Sequence, residues 1–198
     1  MIENKPSVAV LMSTYDGQRF LKEQIDSVLI QQNVCLTLFV RDDGSNDDTL
    51  QIIKSYGERV VFLRGTNVGV GNSFMTVLQA AGQDFDYYAF CDQDDIWLPD
   101  KLYKGISSIC LYDEPACYCS NQILVDSEGN KIRNHYIEQI DTGYMQILND
   151  NQVYGCTMLW NKELQRILID ELRLPSSEVL KKESMMCGWQ WWQVLQVK

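Results

Sequence analysis

Tyr87-Tyr88-Ala89-Phe90-Cys91-Asp92-Gln93-Asp94-Asp95-Ile96-Trp97-Leu98-Pro99-Asp100-Lys101-Leu102 decides how the rest of the chain is read. Its first five residues are β-prone and almost wholly apolar, as a strand covered on both faces should be. Pro99 suits the first turn of a following helix. A buried strand that ends in carboxylates and turns into a helix places them at the carboxyl edge of an open α/β sheet, where ligands bind. Extended backbone alternates its side chains, so Asp92 and Asp94 are expected on one side with Gln93 turned aside. Two hard oxygen ligands on one side suit Mg²⁺ or Mn²⁺ shared with substrate phosphates. An arbitrary D-x-D is more often a solvated acidic turn, and the buried strand in front of this one reverses that preference.

Toward the amino terminus the same grammar repeats. Val8-Ala9-Val10-Leu11-Met12 is a short apolar run feeding the polar turn Ser13-Thr14-Tyr15-Asp16-Gly17. From Gln18 the apolar residues Phe20, Leu21, Ile25, Val28 and Leu29 recur at helical spacing to about Gln32, which predicts an amphipathic helix. Leu36-Thr37-Leu38-Phe39-Val40 is a second strand, followed by the acidic loop Arg41-Asp42-Asp43-Gly44-Ser45-Asn46-Asp47-Asp48. Ser45 with Asp48 three residues on resembles a capping box for a helix over 49–56. A third strand at 60–63 leads into the glycine-rich 65–71, whose spacing is not G-x-G-x-x-G, and a helix is expected over 74–81. Strands alternating with helices imply parallel pairing with right-handed crossovers.

Beyond the acidic centre the pattern changes. A helix is expected from Asp100 to about Leu111, then strands around 116–121 and 122–125 with a hairpin-like turn at 126–130, so antiparallel strands join the sheet here. A further strand is expected over 153–160 and an amphipathic helix over 162–172. Residues 131–152 and 173–198 give no periodicity.

The totals bound the function. At 198 residues the chain holds one domain, or one with part of another. A net charge of −10 with pI near 4.5 leaves no basic footprint for nucleic acid. An anionic substrate would therefore need a metal. No apolar run reaches the roughly 18 residues of a membrane span, and the first residues lack the apolar core of a signal peptide. The expected location is the cytoplasm, including peripheral association with the inner face of a membrane. Seven cysteines without a C-x-x-C pair are expected as reduced thiols. His135, the single histidine, excludes His-rich zinc sites and leaves little material for a Ser-His-Asp triad.

Three polar loops, after Met12, Val40 and Cys91, thus fall at the ends of consecutive strands. A nucleoside-diphosphate sugar needs partners for its base and ribose and something to neutralise its diphosphate. Asp43 could accept from a uracil or thymine N–H, Asp92 could meet ribose or metal, and Asp94 could hold the metal. With these residues in view the chain resembles glycosyltransferase family 2, the inverting enzymes of GT-A fold, and most of all their bacterial rhamnosyltransferase-like branch. The resemblance rests on 8–17 with the helix after it, the D-D-G-S-x-D core of 41–49, the Asn67–Gly71 stretch, D-Q-D-D-I-W-x-P-x-K within 90–102, and Gly155-Cys156-Thr157. It covers about residues 6–172.

The resemblance implies a Rossmann-type mixed sheet flanked by helices and a metal-dependent, inverting transfer of a sugar from a UDP- or dTDP-sugar to a hydroxyl on a glycan or lipid-linked acceptor in cell-surface polysaccharide synthesis. By the same resemblance Ser13, Thr14, Tyr15 and Asp43 hold the base, Asn67 and Gly71 belong to the donor site, Asp92 meets ribose and metal, and Asp94 meets the metal, as Mn²⁺ or Mg²⁺. It divides the chain into a domain over 1–172, with a nucleotide-binding half about 6–113 and the start of an acceptor half about 114–172, and an aberrant or truncated tail over 173–198. An inverting displacement needs a general base. The family carries it as an Asp near residues 184–192, where this chain has Gln190, which cannot act as one. Two other readings stay open: a nucleotide-sugar-binding remnant without the base, and a sugar nucleotidyltransferase, which would want a glycine-rich basic loop where 13–19 has one glycine. In a shifted frame, from a Ser184 codon ending in C, the codons permit His-Asp-Val-Trp-Met-Ala-Met-Val-Ala, which resembles the family's base-bearing helix. Residues from about Lys181 or Glu183 onward are accordingly expected to be out-of-frame translation of an intact ancestor.

Overall fold

Alternation of apolar side chains along the first strand is what splits the interior into two layers. Val8, Val10 and Met12 pack on one side of the sheet and Ala9 and Leu11 on the other, all fully buried. A strand with apolar residues at consecutive positions is stable only when both faces are covered. The computed structural model describes residues 5–136 and 153–169. In chain order these form β1 (Ser7–Thr14), α1 (Leu21–Leu29), β2 (Cys35–Asp42), α2 (Thr49–Ser55), β3 (Val60–Arg64), α3 (Val70–Ala81) and β4 (Tyr87–Cys91). They continue as α4 (Lys101–Ile109), β5 (Cys117–Cys119), β6 (Ile123–Val125), β7 (Lys131–Asn134), β8 (Met158–Asn161) and α5 (Lys162–Leu168).

Six strands make one sheet in the order β3-β2-β1-β4-β8-β5. β1 is parallel to β2 and β4, and β2 is parallel to β3, as the alternation of elements predicts. β8 runs antiparallel to both β4 and β5, so the sheet is mixed. β6 and β7 form a separate antiparallel hairpin around the 126–130 turn. At the seam between β4 and β8, Tyr88 pairs in register with Trp160, their rings stacked at 6.1 Å, and Phe90 lies 4.7 Å from the same indole. Apolar area buried at this rate dominates the stability of the join.

Several boundaries move from their expected places for local reasons. The 153–160 stretch is not a strand throughout: Thr157 turns back to donate its N–H and hydroxyl to the Tyr154 carbonyl at 3.0 and 2.6 Å, making a 3₁₀ turn over Gly155–Thr157 before β8 begins. The capping box at Ser45 does not form: the Ser45 oxygen accepts the Asp16 N–H at 2.9 Å, the Asp48 N–H is accepted by Gln18 Oε1 at 3.1 Å, and the Thr49 N–H by Asp47 at 2.9 Å. α3 starts at Val70, so the last two residues of the glycine-rich 65–71 are helix, entered through Gly69 at φ +84°. Pro99 lies just before α4, whose first residue is Lys101. Phe20 is 42% exposed, outside the apolar face of α1 on which it was expected. The readings at Gln190, of the 173–198 tail and of the shifted frame lie outside the described residues.

Candidate functional site

The register of the parallel strands brings three chain exits to one edge. Met12 pairs with Cys91 and Thr14 with Asp42, so Tyr15, Asp43 and Asp92 leave the sheet side by side. The Thr14 carbonyl accepts the Asp43 N–H at 2.8 Å, holding two of the exits together. Between them opens a cavity of about 270 Å³ whose walls include Ser13, Tyr15, Asp43, Asn67, Asp92 and Asp94. The amino end of α3, with Gly69, Val70 and Phe74, closes one side. Two residues expected in the set stand behind this wall: Thr14 is buried, and Gly71 is buried in the first turn of α3.

A buried ionic network supports the floor. Arg41 and Asp43 are 5% and 2% exposed, and Arg41 Nη1 meets Asp43 Oδ1 at 2.5 Å. The same Nη1 donates to Ser73 Oγ at 2.7 Å, and the Ser13 hydroxyl donates to that oxygen at 2.5 Å. Nη2 donates to the Thr66 carbonyl at 3.2 Å. Asp43 accepts three hydrogen bonds: Oδ1 from Arg41 and the Val68 N–H, and Oδ2 from the Gly69 N–H at 3.0 Å. A carboxylate oxygen has two lone pairs, so Oδ2 retains one acceptor position, and Asp43 lines the cavity. Asp43 therefore fixes the 66–69 loop as well as facing the pocket, a structural duty that its place in a turn-rich acidic loop did not reveal.

The carboxylates after β4 divide by depth. The strand ends at Cys91, so strict alternation stops there. Asp94 is exposed, while Asp92 and Asp95 are half-buried, and their carboxylates lie with the Cys156 thiol inside a sphere where all ligand atoms are within 4.8 Å of one another. Burial, with the charge of Asp95 beside it, pushes the Asp92 carboxyl up to about 6. Burial raises Asp95 as well. Burial and then the two carboxylates hold the Cys156 thiol protonated. Lys101, its ammonium pushed down by burial, donates to the Cys156 carbonyl at 2.7 Å and lies 4.4 Å from the Trp97 ring centroid. Asp95, Cys156 and Lys101 were in quoted motifs without a role; only long-range folding of β8 against β4 brings Cys156 here, which local spacing cannot show.

Gln93 is not turned aside as alternation predicts: it lines the same cavity as Asp92 and Asp94, because the strand has already ended at Cys91, and its amide binds the chain leaving β1. Its Oε1 accepts from the Thr14 hydroxyl at 2.6 Å and the Tyr15 N–H at 2.9 Å, and its Nε2 donates to the Tyr15 carbonyl at 3.2 Å. His135, outside the cavity wall, packs edge-on against Tyr136 and Tyr154 at 4.4 and 5.4 Å. Among the described residues no helix is long and apolar enough to cross a membrane.

Residues 9–168 match the family profile described as Glycosyl transferase family 2. The chain is 34% identical over 127 residues to the dTDP-rhamnosyl transferase RfbG of Shigella flexneri, a match that covers 61% of this chain and 44% of that one. The chain spans about half the length of the curated relatives it matches. Among solved structures, S. aureus TarS 1–349 in complex with UDP superposes with a TM-score of 0.69 at 18% identity, over 96% of this chain and 55% of that one. The mannosyltransferase PcManGT of Pyrobaculum calidifontis, in complex with GDP-Man and Mn²⁺, gives a TM-score of 0.54 at 20% identity over 61% and 37%. At these identities the likeness is one of fold.

Proposed function

The chain belongs to glycosyl transferase family 2, and from that premise we propose that its cavity binds a dTDP- or UDP-sugar, with a divalent cation, for inverting transfer to a hydroxyl of a glycan or lipid-linked acceptor. The observation that carries this reading is the convergence of Ser13, Tyr15, Asp43, Asn67, Asp92 and Asp94 on one cavity at the carboxyl edge of the sheet. The base would lie along Ser13 and Tyr15, with Thr14 supporting them from behind through Gln93, and its N–H on the remaining lone pair of Asp43. Asn67 and the backbone at Gly69 and Val70 would line the donor's path toward Asp92, with Gly71 packed behind them. The name of the Shigella relative favours dTDP, and the TarS complex shows UDP held by the same fold.

The donor set fits a hard cation. Asp92 and Asp95 crowd two carboxylates into a half-buried space, where burial raises the proton affinity of both and the charge of Asp95 adds to that of Asp92. A cation there would relieve that repulsion. Asp92 and Asp94 would hold Mn²⁺ or Mg²⁺ on the cavity side. When bound, such an ion stabilises the charge that builds on a departing diphosphate. The chain's own residues do the positioning: the Arg41 network fixes the floor, and Lys101 ties the carboxylate loop to the turn before β8. A role at a cytoplasmic membrane face in polysaccharide assembly, and the division into donor and acceptor halves near residue 113, belong to the same proposal.

Asp94→Ala is the direct test. Its exposed side chain contributes little to packing, so the melting temperature should hold while Mn²⁺-dependent binding of UDP or dTDP is lost. Calorimetric titration of each nucleotide with Mn²⁺ reads this, and unchanged metal-dependent affinity would remove Asp94 from the site. Donor binding by the wild type without sugar transfer to any hydroxyl acceptor would assign a nucleotide-sugar binder instead.

A further inference from the structure

Gln93 stands between the two carboxylates that line the cavity, yet its side chain reaches back across the sheet edge to the chain leaving β1. Its amide is read on both ends. The Tyr15 N–H can only donate and the Tyr15 carbonyl can only accept, so the pair fixes which way the amide points. The Thr14 hydroxyl adds a third bond at 2.6 Å. An independent feature of the sequence makes room for this. A Cβ on Gly17 would sit 2.5 Å from Gln93 Oε1 and 2.7 Å from Thr14 Oγ1, closer than any real contact, and Gly17 has no need of glycine for its backbone angles. The absent side chain at residue 17 is thus explained by the amide that occupies its space.

Among the described residues, the hydrogen bonds that cross between Tyr15 and the carboxylate loop all belong to this one side chain. Tyr15 lies on one wall of the cavity, and Asp92 and Asp94 lie on another. We infer that Gln93 is a positioning residue that sets the separation of these two walls, so that a ligand spanning both gains from their prearranged spacing while a ligand touching one does not. Binding that engages two attachment points at once depends on the geometry between them far more than binding at either point. The inference rests on the donor reading above, in which the nucleoside lies on the Tyr15 side and the cation with the diphosphate on the Asp92–Asp94 side. Gln93 itself lines the cavity, and the role inferred for it is exerted through the chain at Thr14 and Tyr15.

The experiment uses ligands for each wall and for both. Uridine alone, Mn²⁺ alone, and UDP or dTDP together with Mn²⁺ are titrated against the full chain, Gln93→Met and Gly17→Ala. Free Mn²⁺ is followed by its paramagnetic resonance signal and nucleotide binding by calorimetry. Gln93→Met keeps length while removing all three hydrogen bonds, and Gly17→Ala displaces the same amide from the opposite loop. Both variants should weaken the nucleotide–Mn²⁺ combination by about tenfold or more, while uridine alone and Mn²⁺ alone change by less than about twofold and circular dichroism shows both variants still folded at the assay temperature. A residue needed only for folding would weaken all three ligands together, and that result overturns the inference. So does an unchanged affinity for the combination in either variant. If the wild type binds neither UDP nor dTDP with Mn²⁺, the donor reading fails and takes the inference with it.

Discussion

Replacing Asp43 by Asn separates what the fold asks of this carboxylate from what a ligand would ask. Asn preserves the shape and one oxygen, so the bonds from Arg41 and the Val68 N–H can persist. Its amide nitrogen then faces the Gly69 N–H, a donor against a donor, where Oδ2 had accepted at 3.0 Å. The guanidinium of Arg41, 5% exposed, is left without a counter-charge. Removing one partner of a buried ion pair costs about 3–5 kcal/mol, and the stranded N–H falls within the same rearrangement. A loss near 4 kcal/mol is a large share of the roughly 5–15 kcal/mol that holds a domain folded. With a urea slope of about 2 kcal/mol per molar, the unfolding midpoint should fall by about 2 M. Urea titration followed by tryptophan fluorescence measures it. The double variant Arg41→Met with Asp43→Asn, which removes the stranded charge, should recover part of the loss. A midpoint shift under about 0.5 M for Asp43→Asn would show that the pair does not support the floor of the site, and the reasoning would be refuted.

Two further outcomes follow from the same neighbourhood. The folded chain holds the Asp92 proton more tightly than the unfolded chain, about 6 against 3.8; the stability this contributes is complete below 3.8 and is lost as pH rises through about 6. In chelator, wild-type stability should therefore fall relative to Asp92→Asn across that window, by up to roughly 3 kcal/mol, and parallel melting profiles would contradict it. Gly65→Ala should cost about 1–3 kcal/mol by overpacking, because its Cβ would lie 2.2 Å from Arg41 Nη2. Its effect should shrink in the Asp43→Asn background, and strict additivity in urea titrations would place Gly65 outside the network.

The sequence exposed whatever depends on neighbours along the chain. Tyr87–Cys91 reads as a doubly covered strand because nearly every residue is apolar, and it is one. The polar turns after Met12, Val40 and Cys91 are visible as breaks in apolar runs, and parallel pairing follows from their alternation with helices. Asp43 looked like a ligand group, yet its three accepted bonds show a carboxylate largely occupied by the fold, since Arg41 is only two residues away and gave no sign of turning inward. Cys156 joins Asp92 and Asp95 only through the antiparallel docking of β8, a contact between segments with no local signal of partnership. Ser45 illustrates the opposite failure: its spacing to Asp48 is that of a cap, but Gln18 takes the Asp48 N–H and the Ser45 oxygen accepts the Asp16 N–H instead.

β4 lies in the middle of the finished sheet, but it is not in the middle of the sequence that builds it. Its second neighbour, β8, comes from beyond residue 153, after a helix and a hairpin have been made. During synthesis from the amino terminus, β4 is therefore an open edge for the whole interval in which residues 92–157 emerge. That edge carries Tyr88 and Phe90, fully buried at the end, with no proline or lysine to discourage pairing with another strand. A polypeptide covering only 6–113 would hold nearly all the residues assigned to the donor yet remain a sheet with its most apolar border unsealed. The late strand is thus a closure on which the earlier half depends for solubility, and the time to reach it is the interval in which this chain is most exposed to association with its own copies.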